Sequence, residues 1–238
     1  MLRIRDLHAG YGLSQALAGV DLDVPDGKLV AILGRNGMGK TTLCRSIMSL
    51  SPPEVWRGSI EYDGTDLTGR PAYQVARAGL GYIPQGRHVF GSLTVVENLN
   101  VAARANGNGA RPTWDLDRIW EMFPRLQERR SNRAEQLSGG EQQMLAIARA
   151  LTTNPSLLIM DEPSEGLAPI VIETVGEQLR HLKGASLSML LVEQNYSLAN
   201  KLADLVYVLE NGEVVFRGEA AELEANDDVK RRYLGVGV

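Results

Sequence analysis

The chain has 238 residues, of which 44% are hydrophobic and 23% charged, a globular composition with room for one large α/β domain or a core carrying a subdomain. A net charge of −4 argues against nucleic acid as the principal partner, and a lone cysteine, Cys44, excludes an internal disulfide or a cysteine metal site. No apolar run approaches a membrane span, and Met1-Leu2-Arg3-Ile4-Arg5-Asp6 alternates like a strand instead of forming a signal-peptide core, so a soluble cytoplasmic protein is expected.

Taken in order, residues 2–6 and 16–24 read as strands, with Ala9-Gly10-Tyr11-Gly12 between them. Leu29-Val30-Ala31-Ile32-Leu33 is continuously apolar, as a strand buried on both faces should be. A helix follows from about Gly39 through Met48, and Pro52-Pro53 interrupts the pattern. Residues 58–64 read as a strand closed by an Asp63-Gly64 turn, 71–78 as a short helix and 80–84 as a strand. From Gln85 to Asn132 only helical patterns occur. Thr94-Val95-Val96-Glu97 is a capping box opening a helix to about Ala103, Asn106-Gly107-Asn108-Gly109 is a flexible break, and a second helix spans 116–123. A charged run follows Pro124, where Arg125, Arg129, Arg130 and Arg133 read as a solvated helical face. A helix from Gly139 precedes the buried strand 157–162, then a helix over 169–182, a strand over 187–192, a helix over 196–203 and strands over 205–209 and 214–216. Strand and helix alternation implies a mainly parallel sheet, with ligands at the carboxyl ends of its strands. Residues 1–84 and 133–238 would form the α/β core, and 85–132 an inserted helical subdomain.

The chemistry concentrates in three stretches. Gly34-Arg35-Asn36-Gly37-Met38-Gly39-Lys40-Thr41-Thr42 fits the phosphate-binding loop G-x-x-x-x-G-K-[ST]. Glycines let successive N–H groups face one anionic centre, and the opening helix adds unpaired donors and its positive dipole end. Gly34, Asn36, Gly37, Gly39, Lys40, Thr41 and Thr42 are therefore candidate nucleotide contacts, with Lys40 reaching the β/γ-phosphates and the Thr41 hydroxyl placed for Mg²⁺. Asp161 and Glu162 end an apolar strand. Asp161 would hold Mg²⁺, which prefers hard oxygens, and Glu162 would activate or orient the attacking water. In Leu137-Ser138-Gly139-Gly140-Glu141, Ser138 and Glu141 form a capping box for a helix with Met144, Ile147, Ala148 and Leu151 on one face. The two glycines between them are not required by a cap. They are expected to bare the helix end to an anion.

Ser138-Gly139-Gly140-Glu141 upstream of Asp161-Glu162, with a phosphate-binding loop before both, resembles the ATP-binding cassette (ABC) ATPase family over essentially the whole chain. The resemblance implies a P-loop NTPase core of mainly parallel sheet, an N-terminal antiparallel β region and a helical subdomain. It implies ATP hydrolysis with Mg²⁺, and a dimer in which each ATP lies between one subunit's phosphate loop and the other's signature residues, here Ser138, Gly139 and Gly140. Tyr11 matches the aromatic that stacks on adenine. Gln85 matches the glutamine that senses Mg²⁺ and the attacking water. Two positions depart from the general pattern: Ala168 stands where an aspartate is usual, and Gln194 where a histidine is usual. Glutamine can hydrogen-bond a γ-phosphate oxygen but carries no charge and shuttles no proton as imidazole does, so Glu162 remains the main candidate for water activation.

Ser164-Glu165-Gly166-Leu167-Ala168-Pro169 and Leu191-Val192-Glu193-Gln194-Asn195 resemble one subgroup, the LivF-type ATPase subunits of branched-chain and hydrophobic amino-acid importers. Gly34–Lys40, Ser138–Leu145 and Arg232-Tyr233-Leu234-Gly235 agree with it. Pro84-Gln85-Gly86-Arg87 also resembles urea-importer ATPases. The implied partners are a second ABC ATPase subunit (identical or paralogous), two membrane permease subunits, and indirectly an extracytoplasmic solute-binding protein. The implied location is cytoplasmic and peripheral on the inner face of the membrane. A DNA-repair ATPase of the same family would need a long coiled-coil insertion between the loop and the signature. A two-cassette translation factor would need a longer chain, and a P-loop kinase would lack the signature.

Overall fold

The computed structural model describes residues 1–104 and 113–235, so the Asn106–Gly109 break lies outside the described residues. Two sheets organise them. An antiparallel sheet runs β2(Ser14–Val24), β1(Leu2–Tyr11), β4(Glu54–Tyr62), β5(Thr65–Asp66). The larger sheet has the order β10(Glu213–Glu219), β9(Leu205–Glu210), β3(Leu29–Leu33), β8(Ser188–Glu193), β7(Leu157–Asp161), β6(Leu80–Ile83). Its strands pair in parallel except β10, an antiparallel edge. The P-loop core, mainly parallel sheet and N-terminal antiparallel region expected from the sequence are all present.

Every residue of β3, β7 and β8 is buried, because both faces of the large sheet are covered. On one face, Val30, Ile32, Ile159 and Leu190 join α1(Lys40–Ile47), α2(Ala72–Arg77) and the inner side of the antiparallel sheet in one apolar cluster. On the other, Leu158, Met160, Met189 and Leu191 meet α6(Gly139–Leu151) and α7(Pro169–Gly184). The same cluster continues without a break into α3(Val95–Ala102), α4(Leu116–Met122) and α5(Pro124–Glu128). The helical segment thus shares a continuous core with the sheet through α6. That position explains why α6 is buried around most of its C-terminal half and not along a single stripe. Cys44 is buried inside α1, as expected of a small hydrophobe.

The anticipated capping boxes at Thr94/Glu97 and Ser138/Glu141 are both formed. Asp63 and Gly64 turn the chain with φ of 48° and 75°, the primed turn that suits a hairpin. The sequence reading differs from the structure at the periphery. β1 and β2 run on past Ala9 and Gly10 to a hairpin closed between Tyr11 and Ser14, because β1 pairs on both sides, with β2 and β4. The two-residue β5 and the short helices α9(Ala220–Glu224) and α10(Asp227–Val229) were not expected; α8(Tyr196–Leu202) was. Glu162 lies just outside β7, which ends at Asp161.

The topology brings three strand ends together. β3, β8 and β7 are neighbours, with Leu33 opposite Glu193 and Asp161 opposite Val192. Whatever follows these three parallel strands meets at the carboxyl end of the sheet.

Candidate active site

The loop after β3 climbs from Gly34 to Gly39, which caps α1 in a left-handed conformation with φ of 99°. Only glycine tolerates that conformation without strain, and a Cβ there would also lie 2.6 Å from the Ala16 carbonyl oxygen. No side chain caps α1, so its first N–H groups remain available to an anion. Tyr11, Asn36, Gly37, Gly39, Lys40, Thr41, Thr42, Gln85 and Glu162 line one cleft of about 480 Å³, together with Ala16. Tyr11, 41% exposed, stands at its mouth with its hydroxyl 3.3 Å from Thr42 Oγ1.

Lys40 is almost wholly buried. Its ammonium donates to the carbonyl oxygens of Gly34 and Arg35, each at 2.8 Å, and lies 2.9 Å from Glu162 Oε1. A buried ion pair of this kind is tolerable only because both charges are paired and hydrogen-bonded. Glu162 takes a left-handed φ of 49°, a strained conformation for a non-glycine residue that costs about 1–2 kcal/mol. Asp161, fully buried, accepts from Thr41 Oγ1 at 3.2 Å and from the Tyr82 hydroxyl at 3.3 Å. Burial raises the Asp161 pKa most, the Thr41 bond opposes it, and the neighbouring Glu162 charge adds to it. A cation beside Asp161 would reverse that shift.

Gln85 follows β6 by two residues, and its amide donates to Glu165 at 2.8 Å. Gln194 is exposed after β8 and lines an adjoining cleft with Glu162, Ser164, Glu165 and Glu193.

The signature residues do not join this cleft. Ser138 and Gly140 line a separate groove with Phe123, Leu126, Met144 and Val171. Ser138 N–H donates to Glu141 Oε2 at 2.8 Å, and its hydroxyl accepts from Glu141 N–H at 3.3 Å. Both glycines are half-buried, and both also have neighbours that need the space. A Cβ on Gly140 would lie 2.7 Å from Val171 Cγ1, so this glycine is required by the packing of α6 on α7. Gly139 lies beneath the Arg87 guanidinium, whose Nη2 donates to the Gly166 carbonyl at 3.3 Å.

Sequence reasoning missed Tyr82, Arg87, Glu165 and Glu193. Only Glu193 carried a signal, a carboxylate ending an apolar strand one residue before Gln194.

Chemically, the cleft offers backbone donors, a buried cation, the Thr41 hydroxyl with the buried Asp161 carboxylate 3.2 Å behind it, and the Glu162 carboxylate within reach of that cation. A polyphosphate bound with a divalent cation fits this set.

Comparison with known proteins agrees. A family model described as "ABC transporter" matches residues 17–165. The chain is 43% identical over 235 residues to the high-affinity branched-chain amino acid transport ATP-binding protein BraG of Pseudomonas aeruginosa, covering 99% of this chain and 100% of that one. It is 36% identical over 237 residues to the probable branched-chain amino acid transport ATP-binding protein LivF of Archaeoglobus fulgidus, covering 99% of each. Among solved structures, a nucleotide-free ATP-binding cassette from an ABC transporter superposes with a TM-score of 0.84 at 24% identity, covering 100% of this chain and 99% of that one.

Proposed function

This chain belongs to the ABC transporter ATPase family, and on that premise we propose that it is the ATP-hydrolysing subunit of an importer for branched-chain or related hydrophobic amino acids. Near-full-length identity of 43% to BraG is the observation that carries the transport reading. No helix among the described residues is long and apolar enough to cross a membrane. Translocation would therefore fall to two permease subunits, with this chain peripheral on the cytoplasmic face and a solute-binding protein supplying cargo from outside.

In this reading the adenine stacks on Tyr11, and the triphosphate lies along Gly34, Asn36, Gly37 and Gly39 towards Thr41 and Thr42. Thr41 and Asp161, 3.2 Å apart, would hold Mg²⁺ with Gln85 beside them. When bound, that ion would neutralise phosphate charge. Lys40 would exchange the Glu162 carboxylate for phosphate oxygens, which releases Glu162 to orient or deprotonate the attacking water. Gln194, uncharged, would donate a hydrogen bond to the γ-phosphate and no proton.

The separation of Ser138–Gly140 from the phosphate cleft supports a site shared between two subunits. ATP then favours the closed dimer because only that form contacts it from both sides. The second subunit is a copy of this chain or a paralogue.

The test is copurification with the permease subunits, followed by assay of ATPase stimulation by the solute-binding protein loaded with leucine. Stimulation by leucine-loaded protein is expected. Stimulation by urea-loaded protein alone would move the cargo to urea, and failure to associate with any membrane protein would count against import.

A further inference from the structure

The turn that follows Glu162 is fastened by a residue the chemistry above does not use. Glu193, the last residue of β8, is 1% exposed. Its carboxylate accepts three hydrogen bonds: from Ser164 N–H at 3.0 Å on Oε1, and from Ser164 Oγ–H at 2.8 Å and Asn195 N–H at 3.2 Å on Oε2. These donors sit on two different loops. Ser164 belongs to the turn after β7, which also carries Glu165, the partner of Gln85. Asn195 follows Gln194, and its side chain caps α8 by accepting from Leu198 N–H at 3.1 Å.

Between these fixed points lies Glu162. Its N–H donates to the Val192 carbonyl at 2.8 Å, one residue before Glu193 in β8. The chain is thus pinned to β8 both at Glu162 and two residues later at Ser164. A left-handed glutamate persists only where its surroundings impose it, and these two attachments do so. The carboxylate is specific to this task. A glutamine would turn an amide N–H₂ towards a backbone donor, and an apolar residue would leave the buried Ser164 N–H and the half-buried Asn195 N–H without this acceptor.

We propose that Glu193 is a positioning residue for ATP hydrolysis, acting through Ser164 and Asn195 to hold the Glu162 carboxylate and the Gln194 loop in one frame. The proposal rests on the hydrolytic role assigned to Glu162. It predicts a residue needed for turnover and dispensable for nucleotide affinity, since its hydrogen-bond partners Ser164 and Asn195 lie outside the lining of the Lys40 cleft.

The test uses the purified full-length chain with Glu193→Gln, Ser164→Ala and the double variant. In each, kcat and KM for ATP, the affinity for a fluorescent ATP analogue and Tm are measured. Glu193→Gln should lower kcat by about tenfold or more, because small misplacements of a reacting group are costly. KM and analogue affinity should stay within about twofold. Ser164→Ala should give a smaller loss in kcat alone, and the double variant should be no worse than Glu193→Gln, the non-additivity expected of one connected unit. In a Glu162→Gln background, Glu193→Gln should change the residual rate no further. If Glu193→Gln does not fold, Ser164→Ala carries the same kcat-only criterion. The proposal is overturned if Glu193→Gln keeps wild-type kcat while Glu162→Gln is inactive, or if kcat and analogue binding fall together with Tm. A fully active Glu162→Gln would instead withdraw the role of Glu162 itself.

Discussion

Two helix N-termini among the described residues carry glycines, and they are built differently. α1 opens on a left-handed Gly39 with no side-chain cap, at the floor of the cleft that holds Lys40, Thr41 and Glu162. α6 opens on Ser138 with a complete capping box, and its glycines lie under Arg87 and Val171 beside a different groove. The first end leaves its backbone N–H groups open to an anion in its own right. The second is capped and partly packed, with Ser138 exposed and both glycines half-buried. Similar sequence punctuation therefore leaves one helix end uncapped and serves packing at the other.

The comparison can be broken at α1 first. Lys40→Ala removes a charged donor from the cradle and leaves Glu162 buried without its cation, so affinity for a fluorescent ATP analogue should fall by about 100-fold or more. Glu162→Gln should lower steady-state hydrolysis by about 100-fold or more while ATP affinity is retained, a separation read by parallel turnover and binding assays. At α6 the expected effects fall on stability and not on binding. Gly140→Ala forces a methyl against Val171 and should cost about 1–3 kcal/mol in urea unfolding, with analogue affinity unchanged. Glu141→Ala removes half of the capping box and should cost about 1 kcal/mol at neutral pH.

The last effect has a pH signature. Partial burial raises the Glu141 pKa, but the Ser138 hydrogen bonds, aided by Arg129 and Arg125, outweigh it and hold the group below its ordinary value. The stabilisation is therefore present above the ordinary carboxylate range and is lost as pH falls through the depressed folded-state value. The difference between wild type and Glu141→Ala should shrink along that same acid limb.

Much of this was legible because the determinants are local. The phosphate loop, the apolar strands β3 and β7 and both capping boxes depend on residues within a few positions of one another, and each could be read from spacing. What escaped depends on distant partners. β1 extends because it pairs with both β2 and β4, which no local pattern in Ala9-Gly10-Tyr11 announces. The packing role of Gly140 escaped because Val171, its close neighbour, lies on another helix. Lys40 and Glu162 were each identified, but not their mutual contact, which requires β3 and β7 to flank β8. Glu193 was passed over because its donors, on Ser164 and Asn195, lie on two separate loops.

The central claim is that nucleotide binding to one chain belongs to α1, and that Ser138 acts on nucleotide held by another subunit. It is tested most directly by titrating the isolated monomer of Ser138→Arg with a fluorescent ATP analogue, beside wild type and Lys40→Ala. The account predicts that Ser138→Arg binds within about twofold of wild type, whereas Lys40→Ala loses binding. Loss of monomer binding in Ser138→Arg, with its fold intact, would contradict it.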